Sequence, residues 1–452
     1  MTGSGALEDV LARVHTRIDP DDEERTRLTA VADTLTERAN RALADLPVPA
    51  DVMRVGSTAR DTWVSGDRDV DLFVRFPADL DRADLERYGL MVGRAVLPDG
   101  REEYAEHPYI TGEFDGFDVD LVPCYRVESA TQIQSAVDRT PFHNAYLQER
   151  LTPALAADVR LLKQFLKGIG TYGSDLRTQG FSGYLTELLV LEYGGFQEVL
   201  AAAADWHPPV RLDPEDHGTR EFADPLVVID PTDPQRNVAA VLSAANVARL
   251  QHYARDLLAD PREALFFPDP SDPLSADEVR AFVADRGTTP VALRFDAPDV
   301  VEDQLYPQLY KSLDGVVSEL DRRGFDALRA ATFADETAVL FVELAVAERP
   351  AVERHEGPPV HVRAHATGFY EKYAGSDAYG PFVDGDRYVV ERDREFTSAT
   401  AFLESEALLE VALGTNVADA LEDGYELLTG PDVADLVPEF ARELADYFDP
   451  SP

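Results

Sequence analysis

The sequence predicts an α+β protein of several domains, on three observations. Helical and strand periodicities alternate through the first third of the chain. A strongly helical block follows near residues 153–200. After a break rich in proline and aspartate at residues 268–273, the order strand, helix, strand, strand describes a further α+β module. The 452 residues exceed the ~250 to 300 that one core usually holds, so roughly two to four domains are expected. Hydrophobic residues make up 44% of the chain, which suffices for real cores and excludes a disordered polymer.

The elements read in order as follows. Leu7, Val10, Leu11 and Val14 recur at helical spacing, and so do Leu28, Val31, Leu35, Ala39 and Leu43. Asp19-Pro20-Asp21 separates these two helices and Pro47 stops the second. A short strand, Val52 to Val55, ends at Gly56. Alternating runs near 69–76 and 117–123 predict strands, with a helix over 79–97 between them. The block from 153 to 200 is helical apart from a glycine-rich break at 168–174. Residues 203–234 are loop around one strand, Leu226 to Ile229, and a helix is expected near 237–258. Beyond the break come a strand at 291–295, a helix at 302–323 and strands at 326–333 and 337–346. Further strands are expected near 359–364 and 387–391, with helices near 397–411, 416–426 and 431–447.

Charge is the dominant bulk feature. Lys plus Arg is 42 and Asp plus Glu is 85, a net of −43. Such a chain repels nucleic acid at ordinary salt. In molar salt the Debye length falls to ~3 Å and a distant acidic surface hardly reaches a phosphate. Lysine occurs only at 163, 167, 311 and 372, and the acids are spread along the whole chain. That pattern resembles proteins of extreme halophiles, so the acidity reads as adaptation to solvent. The single cysteine, Cys124, excludes an internal disulfide and a zinc site of several thiolates, and reads as a small buried residue. No apolar run is long enough to span a membrane and the N-terminus has no apolar leader core, so a cytoplasmic protein with no membrane partner is expected.

The chemistry concentrates between Gly56 and Asp120. In Asp69-Val70-Asp71-Leu72-Phe73-Val74, strand periodicity puts both aspartates on one face and Val70, Leu72 and Val74 on the other. Two carboxylates this close repel unless a cation lies between them, and paired oxygen ligands suit Mg²⁺. In so acidic a chain a lone D-x-D is usually a solvated face. Two further features favour a site. Gly56-Ser57-Thr58-Ala59-Arg60 leaves a strand and opens a helix, where free N–H groups, the Ser57 hydroxyl and the Arg60 guanidinium could meet a phosphate. Asp118-Val119-Asp120-Leu121 supplies a second same-face acidic pair, in which Asp120 or Asp118 could be the third ligand.

These residues resemble the polymerase β nucleotidyltransferase superfamily, whose signature is Gly-Ser, a spacer, an acidic pair on a strand and a later acid. The resemblance extends to the archaeal (class I) CCA-adding tRNA nucleotidyltransferases. It is carried by Asp138 to His143, by Arg160 to Lys167, by Tyr172-Gly173-Ser174, by the string from Arg177 to Glu187 containing Gln179-Gly180-Phe181-Ser182-Gly183-Tyr184-Leu185, and by Arg236 to Ala240. A weaker likeness covers Gly368 to Tyr373.

The resemblance implies template-independent addition of C, C and A to the tRNA 3′ end from CTP and ATP. It implies a nucleotidyltransferase palm-type head (1–150) with a mixed sheet and helices. A helical middle domain (151–265) and a C-terminal RRM-like α+β body with a helical tail (266–452) would follow. Asp69, Asp71 and Asp120 would be catalytic and hold two Mg²⁺ ions. Ser57 and Arg60 would bind the triphosphate, His143, Lys163 and Tyr172 would contact the nucleotide, and Arg236 would read the base edge. The resemblance also implies a homodimer. Other superfamily activities, such as a poly(A) polymerase, would share the site, and a non-catalytic RNA-binding scaffold is the rival of a different class. Basic candidates for tRNA contact are Arg160, Lys167, Arg177, Lys311, Arg322, Arg323, Arg363 and Lys372.

Overall fold

The computed structural model describes residues 3–452. It divides the chain into two compact units, one ending at Asp269 and one beginning at Pro270. The division falls inside the run at 268–273, where Pro268, Pro270 and Pro273 remove backbone donors that a helix or strand would use. Among the described residues no helix is long and apolar enough to cross a membrane.

The first unit opens with α1 (Gly3–Ile18) and α2 (Asp22–Ala44). Asp21 caps α2: its carboxylate accepts the Glu24 N–H at 2.8 Å, and the Glu24 side chain accepts the Asp21 N–H at 3.2 Å. A five-stranded mixed sheet follows, made of β1 (Asp51–Val55), β2 (Asp69–Pro77), β3 (Arg101–Tyr104), β4 (Pro108–Phe114) and β5 (Phe117–Arg126), in spatial order β1-β2-β5-β4-β3. The short α3 (Gly56–Arg60) and the longer α4 (Arg82–Val96) lie between strands in sequence. Leu28, Val31 and Leu35 of α2 and Leu85, Val92 and Val96 of α4 form one core with Val70, Leu72, Val74 and Phe76 of β2 and Val119 and Leu121 of β5. The even positions of β2 thus face the helices, and period two leaves Asp69 and Asp71 on the opposite face. Strands β3 and β4 were not foreseen. β3 reads Arg-Glu-Glu-Tyr at a sheet edge and offers no apolar alternation.

The rest of the unit is mainly helical, beginning with α5 (Thr140–Arg150), α6 (Pro153–Gly168), α7 (Gly183–Tyr193) and α8 (Phe196–Ala204). A small sheet of β6 (Val210–Leu212), β7 (Leu226–Asp230) and β8 (Asp233–Asn237) and then α9 (Ala244–Ala259) complete it. The helix expected near 237–258 begins later, because Asn237 ends β8 and Ser243 caps α9. Leu7, Val10, Leu11, Val14 and Ile18 of α1 share a core with Phe165, Phe181, Phe196 and Leu250. The first helix therefore packs with the helical block, not with the head sheet.

The second unit contains α10 (Ala276–Arg286), β9 (Thr289–Asp296), α11 (Glu302–Arg322), β10 (Ala327–Ala334) and β11 (Thr337–Leu344). A smaller module follows, with β12 (Val352–Pro359), α12 (Arg363–Tyr373), β13 (Tyr379–Asp384) and β14 (Arg387–Asp393). The chain ends with α13 (Ala399–Leu403), α14 (Thr415–Asp423), β15 (Glu426–Thr429) and α15 (Val437–Phe448). One antiparallel sheet has the order β10-β11-β9-β15 and the other β12-β14-β13. Three expectations are corrected here. The strand near 359–364 is β12, which ends at Pro359, and Arg363 opens a helix. The helix near 397–411 is α13 followed by a separate turn at Glu406–Glu410. The helix near 416–426 stops before Gly424, and Glu426 begins a strand that pairs with β9.

Candidate active site

The acidic face is set by strand register. β2 and β5 run parallel, with Asp69 opposite Asp118 and Asp71 opposite Asp120. Neighbouring strands are ~4.8 Å apart, so the four carboxylates form a two-by-two array on one face. β1 lies antiparallel on the other side of β2, with Val55 opposite Asp71. The chain therefore leaves β1 beside Asp71 and turns at Gly56, whose φ is +78°. A Cβ at Gly56 would lie 1.9 Å from Asp71 Oδ2. The glycine makes room for this carboxylate.

The array is electrostatically uncomfortable. Burial, then the charges of Asp120 and Asp69, push the Asp71 carboxyl up to about 6, and Arg60 only partly opposes this. Burial, then Asp67 and Asp118, raise Asp69 as well, with Lys163 opposing. As they stand, no three His, Cys, Asp or Glu side chains among the described residues converge closely enough to hold a metal ion. The donor chemistry nevertheless fits a hard divalent cation: the array is all carboxylate oxygen, on rigid strands, with a repulsion that such a cation would relieve.

Beside the array is a cleft of about 320 Å³ that brings Ser57, Arg60, Asp69, Lys163 and Tyr172 together. Lys163 and Lys167, one turn apart on α6, both face Asp67, at 3.6 and 3.0 Å. The Tyr172 ring centre lies 5.7 and 5.6 Å from their ammonium groups. Burial pushes the Lys163 ammonium pKa down, while Asp67 and Glu187 oppose that. Two of the chain's four lysines thus line one anion-sized cleft. Arg60 has a different placement from the one expected. Its Nε and Nη2 donate to the buried Glu187 at 2.9 and 2.8 Å, and its Nη1 donates to Asn144 at 2.8 Å. Thr62 donates to the same carboxylate at 2.6 Å. Arg60 therefore ties α3 to α5 and α7 and reaches the cleft only as part of its wall. Arg160, a candidate for RNA contact, is buried and donates to Asp19 at 2.7 Å, which makes it an internal strut.

His143 and Arg236 do not line this cleft. They meet at Asp230, which accepts from His143 Nε2 at 2.8 Å and from Arg236 Nη1 at 2.9 Å. The His143 ring stacks on Tyr184, with centroids 3.9 Å apart and planes 15° from parallel, and Tyr184 does line the cleft. Among the described residues the buried Tyr184 hydroxyl has no hydrogen-bond partner. Arg236 lines a second cleft of about 590 Å³ with Arg139, Arg220 and Phe222.

Sequence reasoning missed Asp67, Tyr184, Glu187 and Asp230. Some signal existed. Asp67 extends the same-face series of Asp69 and Asp71 by one step. Glu187 interrupts an apolar helix, and Asp230 ends the apolar strand Leu226 to Ile229. An acid in an apolar run implies a buried partner.

Comparison with known proteins extends over nearly the whole chain. The family described as nucleotidyltransferase domain matches residues 37–143. Residues 157–267 match tRNA nucleotidyltransferase, second domain, and residues 286–430 match CCA-adding enzyme, C-terminal domain. A CCA-adding enzyme of Haloarcula marismortui is 64% identical, over 99% of this chain and 100% of its own length. One of Halobacterium salinarum is 63% identical over 98% of each chain. One of Methanosarcina barkeri is 42% identical over 94% of this chain and 95% of its own. More distant likenesses exist among solved structures. CdnC of E. coli MS115-1 with ATP has a TM-score of 0.45 at 18% identity, over 58% of this chain and 93% of that one. A cytoplasmic RNA terminal U-transferase has a TM-score of 0.45 at 16% identity, over 59% of this chain and 99% of that one.

Proposed function

The chain belongs to the CCA-adding enzymes, and from that premise we propose that it extends tRNA 3′ ends with C, C and A from CTP and ATP, using the acidic face of β2 and β5 and the adjacent lysine cleft. The observation that carries this reading is the parallel register that puts Asp69, Asp71, Asp118 and Asp120 on one face beside a cleft holding Ser57, Lys163 and Lys167. The RNA 3′-hydroxyl gives up its proton to solvent as its oxygen bonds to the α-phosphorus of the nucleotide, the bond from that phosphorus to the oxygen bridging to the β-phosphate breaks, and pyrophosphate leaves. Asp69, Asp71 and Asp120 would hold Mg²⁺, which when bound supplies a more acidic 3′-hydroxyl and neutralises triphosphate charge.

The chain's own residues do the rest. The Ser57 hydroxyl donates to a phosphate oxygen. Lys163 and Lys167 exchange Asp67 for the triphosphate, which carries more charge than one carboxylate. Tyr172 walls the lysines against water. Arg60 keeps the cleft in shape through Glu187 and Asn144. His143 and Arg236 meet the nucleoside end. The Asp71–Asp120 pair is the less exposed of the two cross-strand pairs, and Asp120 perturbs Asp71 more than any other charge does, so Asp120 is the third ligand in this reading and Asp118 an outer charge.

Association with tRNA takes place in molar salt, where screening mutes the net charge of −43 and shape and 2′-hydroxyl contacts hold the RNA. A cytoplasmic homodimer is part of the same reading, and sedimentation in high salt checks the stoichiometry. The function is tested by supplying tRNA that lacks its terminal CCA with CTP and ATP, singly and together. Extension that stops after the third nucleotide is expected. A run of A without a stop points to a poly(A) polymerase instead.

A further inference from the structure

We propose that Asp67 is a specificity-determining residue of the lysine cleft: held by the chain as the resident counter-anion of Lys163 and Lys167, it excludes free anions such as chloride in molar salt and gives way to a polyphosphate. The proposal rests on the reading of that cleft as the triphosphate site.

The cations of the cleft are unselective by themselves. Lys163 is buried, and Lys167, one turn later on α6, is about one-third exposed. An ammonium is a compact point charge and lacks the planar fork by which arginine sorts oxyanions by shape. The arginine in the cleft wall does not supply that fork, because Arg60 gives Nε and Nη2 to Glu187 and Nη1 to Asn144. The two ammonium groups also repel each other, and a buried one needs a partner. A mobile anion is one such partner. In molar chloride, an anion site with a dissociation constant of about 0.1 M is about nine-tenths filled. Two unaccompanied lysines would therefore be occupied by the medium to which a chain of net charge −43 is adapted.

Asp67 takes that place instead. Its Oδ1 lies 3.0 Å from Lys167 Nζ and its Oδ2 3.6 Å from Lys163 Nζ, so one carboxylate bridges both cations. Of the other acids in the cleft, Glu187 is engaged by Arg60 and Thr62, and Asp69 belongs to the array on β2. The backbone that presents Asp67 is fixed. Its N–H donates to the Val64 carbonyl at 2.9 Å, and the Ser65 N–H donates to the Ile18 carbonyl at 2.7 Å. The Ser65 hydroxyl and the Gly66 N–H donate to Glu24 at 2.9 and 3.2 Å.

A carboxylate presented by so fixed a turn loses little freedom on pairing, whereas a free anion loses its translation, so the tethered group prevails over single charges. A nucleoside triphosphate differs in kind. It carries several negative charges on one molecule and can meet both lysines and the Ser57 hydroxyl at once. The Asp67 side chain is 23% exposed, so rotation about χ1 takes its charge to water without moving the turn. The cleft is thus neutralised from within, and it opens to a ligand that offers more charge than Asp67 does.

The experiment uses the full chain with Mg²⁺ and tRNA lacking its CCA, at a fixed total of about 2 M potassium salt in which chloride replaces glutamate stepwise. KM and kcat for CTP are read at each step. In wild type, KM is expected to stay within about 2-fold across the series. In Asp67→Asn, KM is expected to begin at least about 3-fold below wild type and to rise about 10-fold as chloride goes from about 0.1 to 2 M, as competition by a weakly held anion requires. The kcat of the variant does not follow chloride. Asp67→Glu keeps the charge and is expected to restore a flat KM. A purely structural role for Asp67 would change KM or kcat by one factor at every chloride level. Asp67→Ser serves if Asp67→Asn does not fold. A KM that responds to chloride alike in wild type and in the folded charge-free variant overturns the proposal, and so does a variant KM no lower than that of wild type at the lowest chloride. A wild type that adds neither C nor A overturns the CCA-adding reading instead.

Discussion

Two aspartates of the first unit, Asp71 and Asp230, are displaced from ordinary behaviour in opposite directions. Asp71 sits among like charges on the open face of β2 and is pushed up to about 6 by burial, Asp120 and Asp69. Asp230 sits among donors at the end of β7, and those donors hold it low despite burial. The first carboxylate is opposed only in part, by Arg60; the second has a counter-charge in Arg236 and a hydrogen-bond partner in His143. An unbalanced acidic array relieves its repulsion by taking up a proton or a cation, and the cation that suits carboxylate oxygen on rigid strands is a hard one. A saturated carboxylate is scaffold, and its function is to fix its neighbours.

The contrast predicts different outcomes for similar substitutions. The largest effect is expected for Asp71→Asn or Asp120→Asn on catalysis: CTP incorporation falls by about 10³-fold or more, as when a strong transition-state stabiliser is lost. tRNA binding in high salt stays within about 2-fold, as read by filter retention. Wild-type rates in either variant would remove both residues from the reaction. Next is stability. Asp230→Asn costs about 3–5 kcal/mol at pH 7, the usual result of leaving buried partners unpaired. Its depressed folded pKa contributes stability that is present above the ordinary carboxylate value of 3.8 and lost as pH falls below it, so the variant's deficit shrinks in acid.

Asp71→Asn has the opposite sign. The folded pKa is raised from 3.8 to about 6, so the folded chain binds that proton more tightly, and metal-free stability falls as pH rises through this window. Removing the charge is expected to stabilise the metal-free chain by about 1–3 kcal/mol above pH 6, with the gain gone near pH 4. Millimolar Mg²⁺ raises the Tm of wild type more than that of the variant. Equal Mg²⁺ shifts in the two proteins would break the distinction between the two aspartates. The smallest effect is expected at Asp118, the exposed partner of Asp69, where Asn costs less than about 10-fold in rate.

Local features were legible in the sequence, and distant partners were not. The D-x-D motif, its repetition in Asp118-Val119-Asp120 and the break after Pro268 are each encoded within a few residues, by strand period or by proline. The capping of α2 by Asp21 belongs to the same class. By contrast, Arg60 and Glu187 are 127 residues apart and His143 and Asp230 are 87 apart, and no periodicity connects them. Composition added to the difficulty: with 85 acids in the chain, an individual Asp or Glu carries little information until its burial is known. The resemblance to CCA-adding enzymes located Arg60, His143 and Arg236 without indicating what holds them. Edge strand β3 stayed hidden because Arg-Glu-Glu-Tyr carries no apolar alternation.

One measurement decides whether the acidic face of β2 and β5 does chemistry. Wild type and Asp71→Asn are incubated in parallel with tRNA lacking its CCA, CTP, ATP and Mg²⁺ in molar salt, and the RNA 3′ ends are sequenced. The expected result is addition of C, C and A followed by a stop with wild type, and no addition with the variant, while both proteins remain folded. Identical products from the two proteins, or a wild-type product other than CCA, would contradict it.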